Sequence, residues 1–163
     1  MRLRKLEIKD APLMLEWMHD PFVVENMQAN FGEKTIDDCE RFILSAQKTT
    51  DDIHLAIVDE NDVYMGTVSL KHINNKSAEF AITVRRTAMG KGFSKFGMAE
   101  IIRVGLEKLN LDKIYWCVNP VNKRAVRFYD KNNYQRVSPD ELNITGYSIE
   151  QIRDYYWYEV NKD

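Results

Sequence analysis

The sequence predicts an α/β (α+β) fold in which helices flank a mixed, mostly antiparallel sheet of six to seven strands. Three β-branched runs joined by short, turn-rich segments predict an antiparallel meander. The third run, 77–84, is followed by a glycine turn, an amphipathic helix and a further run at 113–118. A helical crossover of this kind makes two strands parallel in one sheet. No repeat or linker-like tract interrupts residues 1–163, which we interpret as a single domain.

Local patterns predict the elements on either side of the meander. A short strand is expected at 3–8, followed by a helix that begins at Asp10 and ends before Asp20-Pro21. Thr35 and Asp38 approximate the capping box of a second helix. The other predicted elements are strands at 53–59, 64–73, 77–84 and 113–118, a helix from the glycine turn to about Leu109, a helix from Asn122 to Lys131, and strands within YQRV and YYWYEV.

Composition excludes several classes of protein. No apolar run is long enough to cross a bilayer, and the first residues lack the apolar core of a signal peptide, so a cytoplasmic protein without membrane attachment is expected. Cys39 and Cys117 do not have the spacing of metal ligands, and no metal is predicted. The net charge of −2 argues against nucleic-acid binding. The basic residues are nevertheless concentrated in 85–131, which is typical of a binding site for an anion.

The glycine turn that contains Gly90 and Gly92 follows a strand and precedes a helix. The unpaired N–H groups of a first helical turn bind anions, and glycine lets a phosphate approach the backbone closely. A P-loop requires Lys after its last glycine, but Phe93 follows Gly92. A dinucleotide-binding turn requires a third glycine where this chain has Lys95. Both nucleotide motifs are therefore disfavoured, although a purely structural corner stays possible at this point.

The segment AEFAITVRRTAMGKGFSKFG resembles the acetyl-coenzyme A site of the GNAT N-acetyltransferase superfamily. That superfamily has an [RQ]-x-x-G-x-[GA] turn between its fourth strand and the next helix. Met89, Gly92 and Ser94 occupy the three defined positions here, and Met89 and Ser94 depart from the usual residues. The superfamily binds pyrophosphate mainly through backbone N–H groups, so the resemblance implies that such changes are tolerated.

A second signature of the same superfamily follows downstream. NPVNKRAVRFYDKNNY resembles N-x-x-[AS]-x-x-x-Y-x-[KR]-x-G-F, with Asn122, Ala125, Tyr129 and Lys131 in register and Asn-Tyr where Gly-Phe is usual. The two signatures occur in the expected order, and the resemblance covers about 3–137. The opening EWMHDP is similar to the branch that contains ribosomal-protein, spermidine and amino-sugar acetyltransferases.

The resemblance implies a fold and a cofactor site. A parallel strand pair is expected to splay around acetyl-coenzyme A, which would be the co-substrate, with its pantetheine arm along the fourth strand and its pyrophosphate on the glycine turn. The implied contacts are Ile82, Thr83, Val84, Met89, Gly90, Lys91, Gly92, Phe93, Ser94, Lys95, Asn119, Asn122, Arg124 and Tyr129.

Two residues are the catalytic candidates. The resemblance implies that Tyr129 is the general acid, or hydrogen-bond donor, for the leaving thiolate. Glu79 lies where many relatives have a glutamate, and it is the candidate base that deprotonates the amine; His54, His72 or water are the alternatives. Cys117 stands where some relatives have a carboxylate, and no histidine is linked to it as a partner, so a cysteine nucleophile is disfavoured.

The resemblance implies that the first helices and the last strands bind the acceptor. Both regions combine aromatic and acidic residues, a pattern that suits a cationic amine but that core packing also explains. We therefore predict direct acetyl transfer to a primary amine, with an amino sugar as the favoured acceptor, by a monomer or homodimer. A protein N-terminal acetyltransferase and an acyl-coenzyme A sensor without turnover are the alternatives. The candidate acceptor contacts are Trp17, Phe22, Phe31, Tyr155 and Trp157.

Overall fold

Seven strands form one sheet in the structure, a computed structural model that describes residues 1–74 and 76–163. The strands are β1 (Arg2–Lys5), β2 (Ile53–Val58), β3 (Tyr64–Lys71), β4 (Ser77–Val84), β5 (Lys113–Val118), β6 (Gln135–Val137) and β7 (Tyr156–Asn161). Their order is β1-β2-β3-β4-β5-β7-β6, with β4 and β5 parallel and the other described pairs antiparallel. The predicted mixed, mostly antiparallel sheet is confirmed.

Helices cover this sheet on its two sides. They are α1 (Ala11–Met18), α2 (Pro21–Val24), α3 (Ile36–Ala46), α4 (Phe93–Arg103), α5 (Lys123–Lys131) and α6 (Ile149–Asp154). The alternation of β2 shows the division, because Ala56 and Val58 are buried with α1 and α3 whereas Ile57 is buried with α4. On β4, Phe80 faces the α4 side, so its neighbour Glu79 faces the α1 side.

The parallel pair opens along its length. β4 and β5 are in register only from Ser77 opposite Lys113 to Glu79 opposite Tyr115. Beyond these residues the two strands diverge, and the backbone of β4 from Phe80 onward has no paired strand on its β5 side in the described structure. This opening between the strands, which we call the split, is the feature that positions the site.

Some boundaries differ from the sequence prediction. β1 is shorter than the predicted 3–8 because Ile8–Asp10 form a 3₁₀ turn, in which the Asp10 side chain accepts from the Glu7 N–H at 2.9 Å and from Arg4 at 2.8 Å. Asp10 therefore precedes α1 as predicted, but its carboxylate does not cap that helix.

Two further boundaries depart in the central elements. β3 ends at Lys71 rather than at 73, because His72 adopts a left-handed backbone with φ of 53°. The helix predicted to reach Leu109 is α-helical only to Arg103 and continues as a π turn, Val104–Lys108. Within residues 1–74 and 76–163, no helix has the length and apolarity needed to cross a membrane.

Candidate active site

The split contains two adjoining cavities. One, of about 350 Å³, extends from the middle of β4 to the glycine turn before α4. The other, of about 340 Å³, extends along β4 and β5 to the acceptor-side segments. The two cavities meet, because they share lining residues from β4, from the start and middle of α5, and from the chain after α2. The shared residues are Met27, Ile82, Thr83, Asn122, Ala125 and Tyr129.

The glycine turn presents backbone donors to the first cavity. Gly90 and Gly92 have φ of 73° and 88°, a conformation that glycine adopts without steric cost. Gly92 is the N-cap of α4, and no side chain caps the helix, so the N–H groups of its first turn have no intrahelical partner. The positive end of the helix dipole lies at the same place. This geometry suits a pyrophosphate.

Side chains around the turn add charge. Ser94, Lys95 and Arg124 line the cavity with Met89, so the two departures from the family pattern both face the proposed cofactor. The Phe93 side chain is buried, and only its backbone is available to an anion. Lys91 does not line either cavity. The structure thus brings together most of the predicted cofactor contacts, Asn119 among them at the far end.

Phe22 lies near this rim, away from the position predicted for it. The guanidinium carbons of Arg86 and Arg124 lie 4.6 Å and 4.7 Å from the centre of its ring. Arg86 also donates to Asp20 at 2.8 Å, and this hydrogen bond lowers the pKa of the Asp20 carboxyl. Phe22 therefore joins α2 to the elements that carry the two signatures, and it lines none of the described cavities.

Tyr129 reaches the split from the α4 side of the sheet. Its ring packs against Trp116 and Tyr158, with centroids 5.4 Å and 5.1 Å away, and the residue is 8% exposed. Its hydroxyl has no hydrogen-bond partner among the described residues, although Tyr129 lines both cavities. Burial raises the pKa of the Tyr129 hydroxyl, so the phenol is neutral and is a donor at physiological pH.

Glu79 reaches the same space from the α1 side. It is 2% exposed, and its Oε1 accepts a hydrogen bond from the Tyr147 hydroxyl. Lys71 Nζ lies 3.7 Å from Oε1, and His72 Nε2 lies 3.5 Å from Oε2. Oε2 is buried without a hydrogen-bond partner in the described structure. A buried carboxylate oxygen with no partner is costly unless a ligand satisfies it, which makes this oxygen a candidate proton acceptor.

Cys117 lines the cavity beside Glu79 but is not activated. Burial raises the pKa of the Cys117 thiol to about 11, and the nearby Tyr147 hydroxyl only partly offsets this. The thiol is therefore protonated at physiological pH, whereas a nucleophilic cysteine requires the thiolate. This supports the expectation from the sequence that Cys117 is not a nucleophile.

The alternative bases have different positions. His54 Nδ1 and Ser69 Oγ form a hydrogen bond of 2.7 Å. Burial lowers the pKa of the His54 imidazole. It lines a third cavity, of about 420 Å³, between the sheet and the α1–α3 side, rather than the split. His72 lies next to Glu79, as described above.

The predicted acceptor residues divide into two groups. Phe31 and Tyr155 line the split. Phe31 also lines the third cavity, together with Trp17. Trp17 is 5% exposed and donates a hydrogen bond to the Tyr64 hydroxyl at 3.0 Å. Trp157 is only 1% exposed, donates to the Ile152 carbonyl at 2.9 Å, and lines none of the described cavities. The core-packing interpretation therefore describes Trp157 best.

Tyr147 is the functional candidate that the sequence analysis missed. From the sequence it is only one of the aromatic residues near the last strands, and neither family signature contains it. The available signals are weak: Gly146, with φ of 82°, directly precedes it, and the Ser148–Gln151 capping box directly follows. These signals predict a turn that leads into a helix, but they do not predict which side chain the turn directs toward β4.

Comparisons with known proteins identify the family and agree with the fold. A family model described as an acetyltransferase (GNAT) domain matches residues 1–135. An uncharacterized N-acetyltransferase, p20, from Bacillus licheniformis is 29% identical over 147 residues, which are 83% of this chain and 79% of that protein. A spermidine N(1)-acetyltransferase from Vibrio cholerae is 26% identical over 122 residues, 73% of this chain and 64% of that protein.

Solved structures show the same fold. The crystal structure of the Vibrio cholerae spermidine N-acetyltransferase in complex with CoA and spermine has a TM-score of 0.79 at 22% identity, covering 99% of this chain and 95% of that chain. A GNAT-family acetyltransferase from Bacillus anthracis has a TM-score of 0.76 at 18% identity, covering 98% and 93%. Because the family model spans most of the sequence and includes both signatures up to Tyr134, this chain belongs to the GNAT family of N-acetyltransferases.

Proposed function

We propose that this protein transfers the acetyl group of acetyl-coenzyme A directly to the primary amine of a small acceptor, with Glu79 as the base and Tyr129 as the donor to the leaving sulfur. The observation that carries the proposal is that these two side chains, from opposite faces of the sheet, line one cavity in the split. Neither the fold alone nor either residue alone would support the reaction.

The split fits the cofactor by its backbone. The unpaired edge of β4 offers the N–H and C=O groups of Ile82 to Val84 to an amide-bearing pantetheine arm, which would extend the sheet. The first turn of α4 offers N–H groups to the pyrophosphate, and Lys95 and Arg124 add positive charge. Asn122 caps α5 by accepting from the Ala125 N–H at 3.2 Å, so its contribution to the cofactor site is through its amide nitrogen.

The residues of the split account for the proton transfers. Glu79 Oε2 accepts the proton that the attacking amine loses as the C–N bond forms and the C–S bond breaks, and coenzyme A leaves as the thiolate. An acceptor that arrives as the ammonium first releases one proton to water. Tyr129 donates a hydrogen bond to the sulfur as negative charge develops on it. The pKa of an ordinary phenol already lies above that of a thiol, and burial raises the pKa of Tyr129 further. Hydrogen-bond stabilisation of the thiolate is therefore favoured over complete proton transfer.

The lining of the split favours an acceptor with a single amine. In the cavity along β4 and β5, Lys71 and Glu79 are the charged side chains among the described lining residues. One carboxylate is therefore available to one ammonium group of an acceptor. A polyamine carries several positive charges, and the nearby Lys71 would repel the second. The uncharged polar lining includes side-chain amides as well as hydroxyl groups, and aromatic rings form part of the walls. This combination suits the hydroxyl groups and the apolar ring face of an amino sugar; the amides and rings include Asn26, Gln28, Asn119, Phe31, Trp116 and Tyr155.

A polyamine acceptor is the second candidate, because a relative of 26% identity is a spermidine N(1)-acetyltransferase. The cavity charges and this relationship therefore give opposite expectations. The two expectations differ in a measurable way, since glucosamine and spermidine present the same reacting group but different total charge.

Both substrates are water-soluble, and we propose a cytoplasmic location.

The test measures release of free coenzyme A thiol from acetyl-coenzyme A with glucosamine, spermidine and a peptide with a free N-terminus. We expect the highest kcat/KM with glucosamine and loss of turnover in Glu79→Gln, with Glu107→Gln, an exposed helix residue, as the matched control. A preference for spermidine or for the peptide would contradict the charge argument. Thermal stabilisation by acetyl-coenzyme A without thiol release from any amine would instead indicate a binding protein, and stabilisation by ATP alone would refute the acetyltransferase.

A further inference from the structure

The two oxygens of the Glu79 carboxylate have different surroundings. Oε1 accepts a hydrogen bond from Tyr147, whereas Oε2 is buried without a hydrogen-bond partner among the described residues and has His72 Nε2 at 3.5 Å. Glu79 and Tyr147 both line the split, and 68 positions separate them in the chain. A buried carboxylate normally satisfies both oxygens, so the asymmetry requires an explanation.

Tyr147 is itself held by the structure around it. Its ring meets Trp157 edge to face, with centroids 5.3 Å apart and planes at 81°. Trp157 is 1% exposed and anchored to the Ile152 carbonyl, so it provides a rigid wall. The left-handed backbone of Gly146 precedes Tyr147, and α6 begins directly after Ser148. The hydroxyl is thus aimed at β4 by packing on one side and by the turn on the other.

We propose that Tyr147 is a positioning residue for the base: it donates to Oε1 of Glu79 and thereby fixes the orientation of the carboxylate, leaving Oε2 without a hydrogen bond and able to accept a proton. This inference rests on the proposed function, because it assigns a role to Tyr147 only through Glu79. Trp157, which the sequence analysis assigned to the acceptor, then acts one step further out, as the wall that holds Tyr147.

Several groups surround the Glu79 carboxylate besides the split itself. The Tyr147 hydroxyl donates to Oε1, Lys71 Nζ lies 3.7 Å from the same oxygen, and His72 Nε2 lies 3.5 Å from Oε2. The other titratable groups that face this carboxylate are Tyr115 and Cys117 of β5. Burial raises the pKa of both of these groups, to about 12 and about 11, so they stay neutral and leave Tyr147 as the neutral donor that can be removed by substitution.

The test uses Tyr147→Phe, which keeps the ring on Trp157 and removes only the hydroxyl. Tyr156→Phe is the matched control, because Tyr156 lies on β7 against Arg136 and lines none of the described cavities. Protein labelled with ¹³C at the glutamate carboxyl carbons is examined by NMR without substrate at neutral pH, and the Glu79 signal is identified by its loss in Glu79→Gln. The chemical shift of a carboxylate carbon responds to the hydrogen bonds that the carboxylate accepts, so we expect the Glu79 signal to move in Tyr147→Phe and to keep its wild-type position in Tyr156→Phe.

The kinetic arm uses acetyl-coenzyme A and the amine of the preceding panel that gives the highest kcat/KM. If Tyr147 acts through Glu79, kcat falls in Tyr147→Phe while the KM for acetyl-coenzyme A is unchanged, and Tyr156→Phe keeps the wild-type kcat. An identical position of the Glu79 signal in wild type and Tyr147→Phe overturns the proposal, whether or not any amine is acetylated. A moved signal with wild-type kcat in Tyr147→Phe shows that the contact exists but does not serve catalysis, which contradicts the positioning role.

Discussion

Replacing Tyr129 by phenylalanine removes one hydroxyl from the split and nothing else. Because that hydroxyl has no partner among the described residues, no internal hydrogen bond is lost, and we expect the free energy of unfolding to change by less than about 0.5 kcal/mol. For a chain of this length the corresponding change in Tm is about 2 °C or less. The ring contacts with Trp116 and Tyr158 stay as they are.

Catalysis should respond very differently from stability. A donor to a leaving group contributes roughly 100-fold at the lower end of its range. That end applies in the proposed mechanism, where the phenol donates a hydrogen bond to the thiolate without transferring its proton. The loss corresponds to about 2.7 kcal/mol in the activation free energy. We expect kcat to fall by this factor, while the KM for acetyl-coenzyme A is unchanged.

Thiol release and thermal unfolding of the same preparations measure the two effects. Tyr134→Phe is the control: its ring also meets Trp116, at 5.2 Å, but it lines none of the described cavities, and phenylalanine is the residue usual in the family at this position. Wild-type kcat in Tyr129→Phe, or an equal loss in Tyr134→Phe, would refute the role of the Tyr129 hydroxyl.

Three other expectations concern the turn, the N-terminal ion pair and the thiol. Gly92→Ala forces a left-handed backbone on alanine and should cost about 1–2 kcal/mol, with weaker binding of acetyl-coenzyme A by calorimetry. Gly32→Ala should bind normally, because a Cβ there makes only an ordinary contact with Asn30 Oδ1, at 3.6 Å. Asp10→Ala leaves Arg4 without its buried partner, and chemical denaturation should show a loss of about 3 kcal/mol; an unchanged midpoint would contradict the importance of the pair. Cys117 should react with iodoacetamide at neutral pH about 100-fold more slowly than an exposed thiol, measured by mass spectrometry, and rapid alkylation would contradict its neutral state.

The sequence predicts those parts of the site that depend on local structure. A strand, a glycine turn and a helix are adjacent in the chain, so the spacing of Gly90 and Gly92 predicts the phosphate site, and Asn122 to Tyr129 lies within one cap and two helical turns. The sheet topology follows in the same way, from short connections and one crossover.

Contacts between distant segments are not predictable from these patterns. Tyr147 meets Glu79 across 68 positions, and Arg86 meets Asp20 across 66. An alternating pattern also does not show that Trp157 is buried, because three consecutive aromatic residues, 156–158, begin β7 and Trp157 shares its face with Glu159 and Asn161. The assignment of Trp157 and Phe22 to acceptor binding thus rested on composition, and the packing gives both residues other neighbours.

The split between β4 and β5 has a consequence for the order of events. It is an opening through a sheet that is otherwise closed by hydrogen bonds in its described part, with Tyr129 on one face and Glu79 on the other. Donor and acceptor can therefore enter from opposite sides and occupy the protein together, so neither needs to leave before the other arrives. We expect initial-rate plots against both substrates to intersect rather than run parallel. The two products can also depart independently, each by the side from which its precursor came.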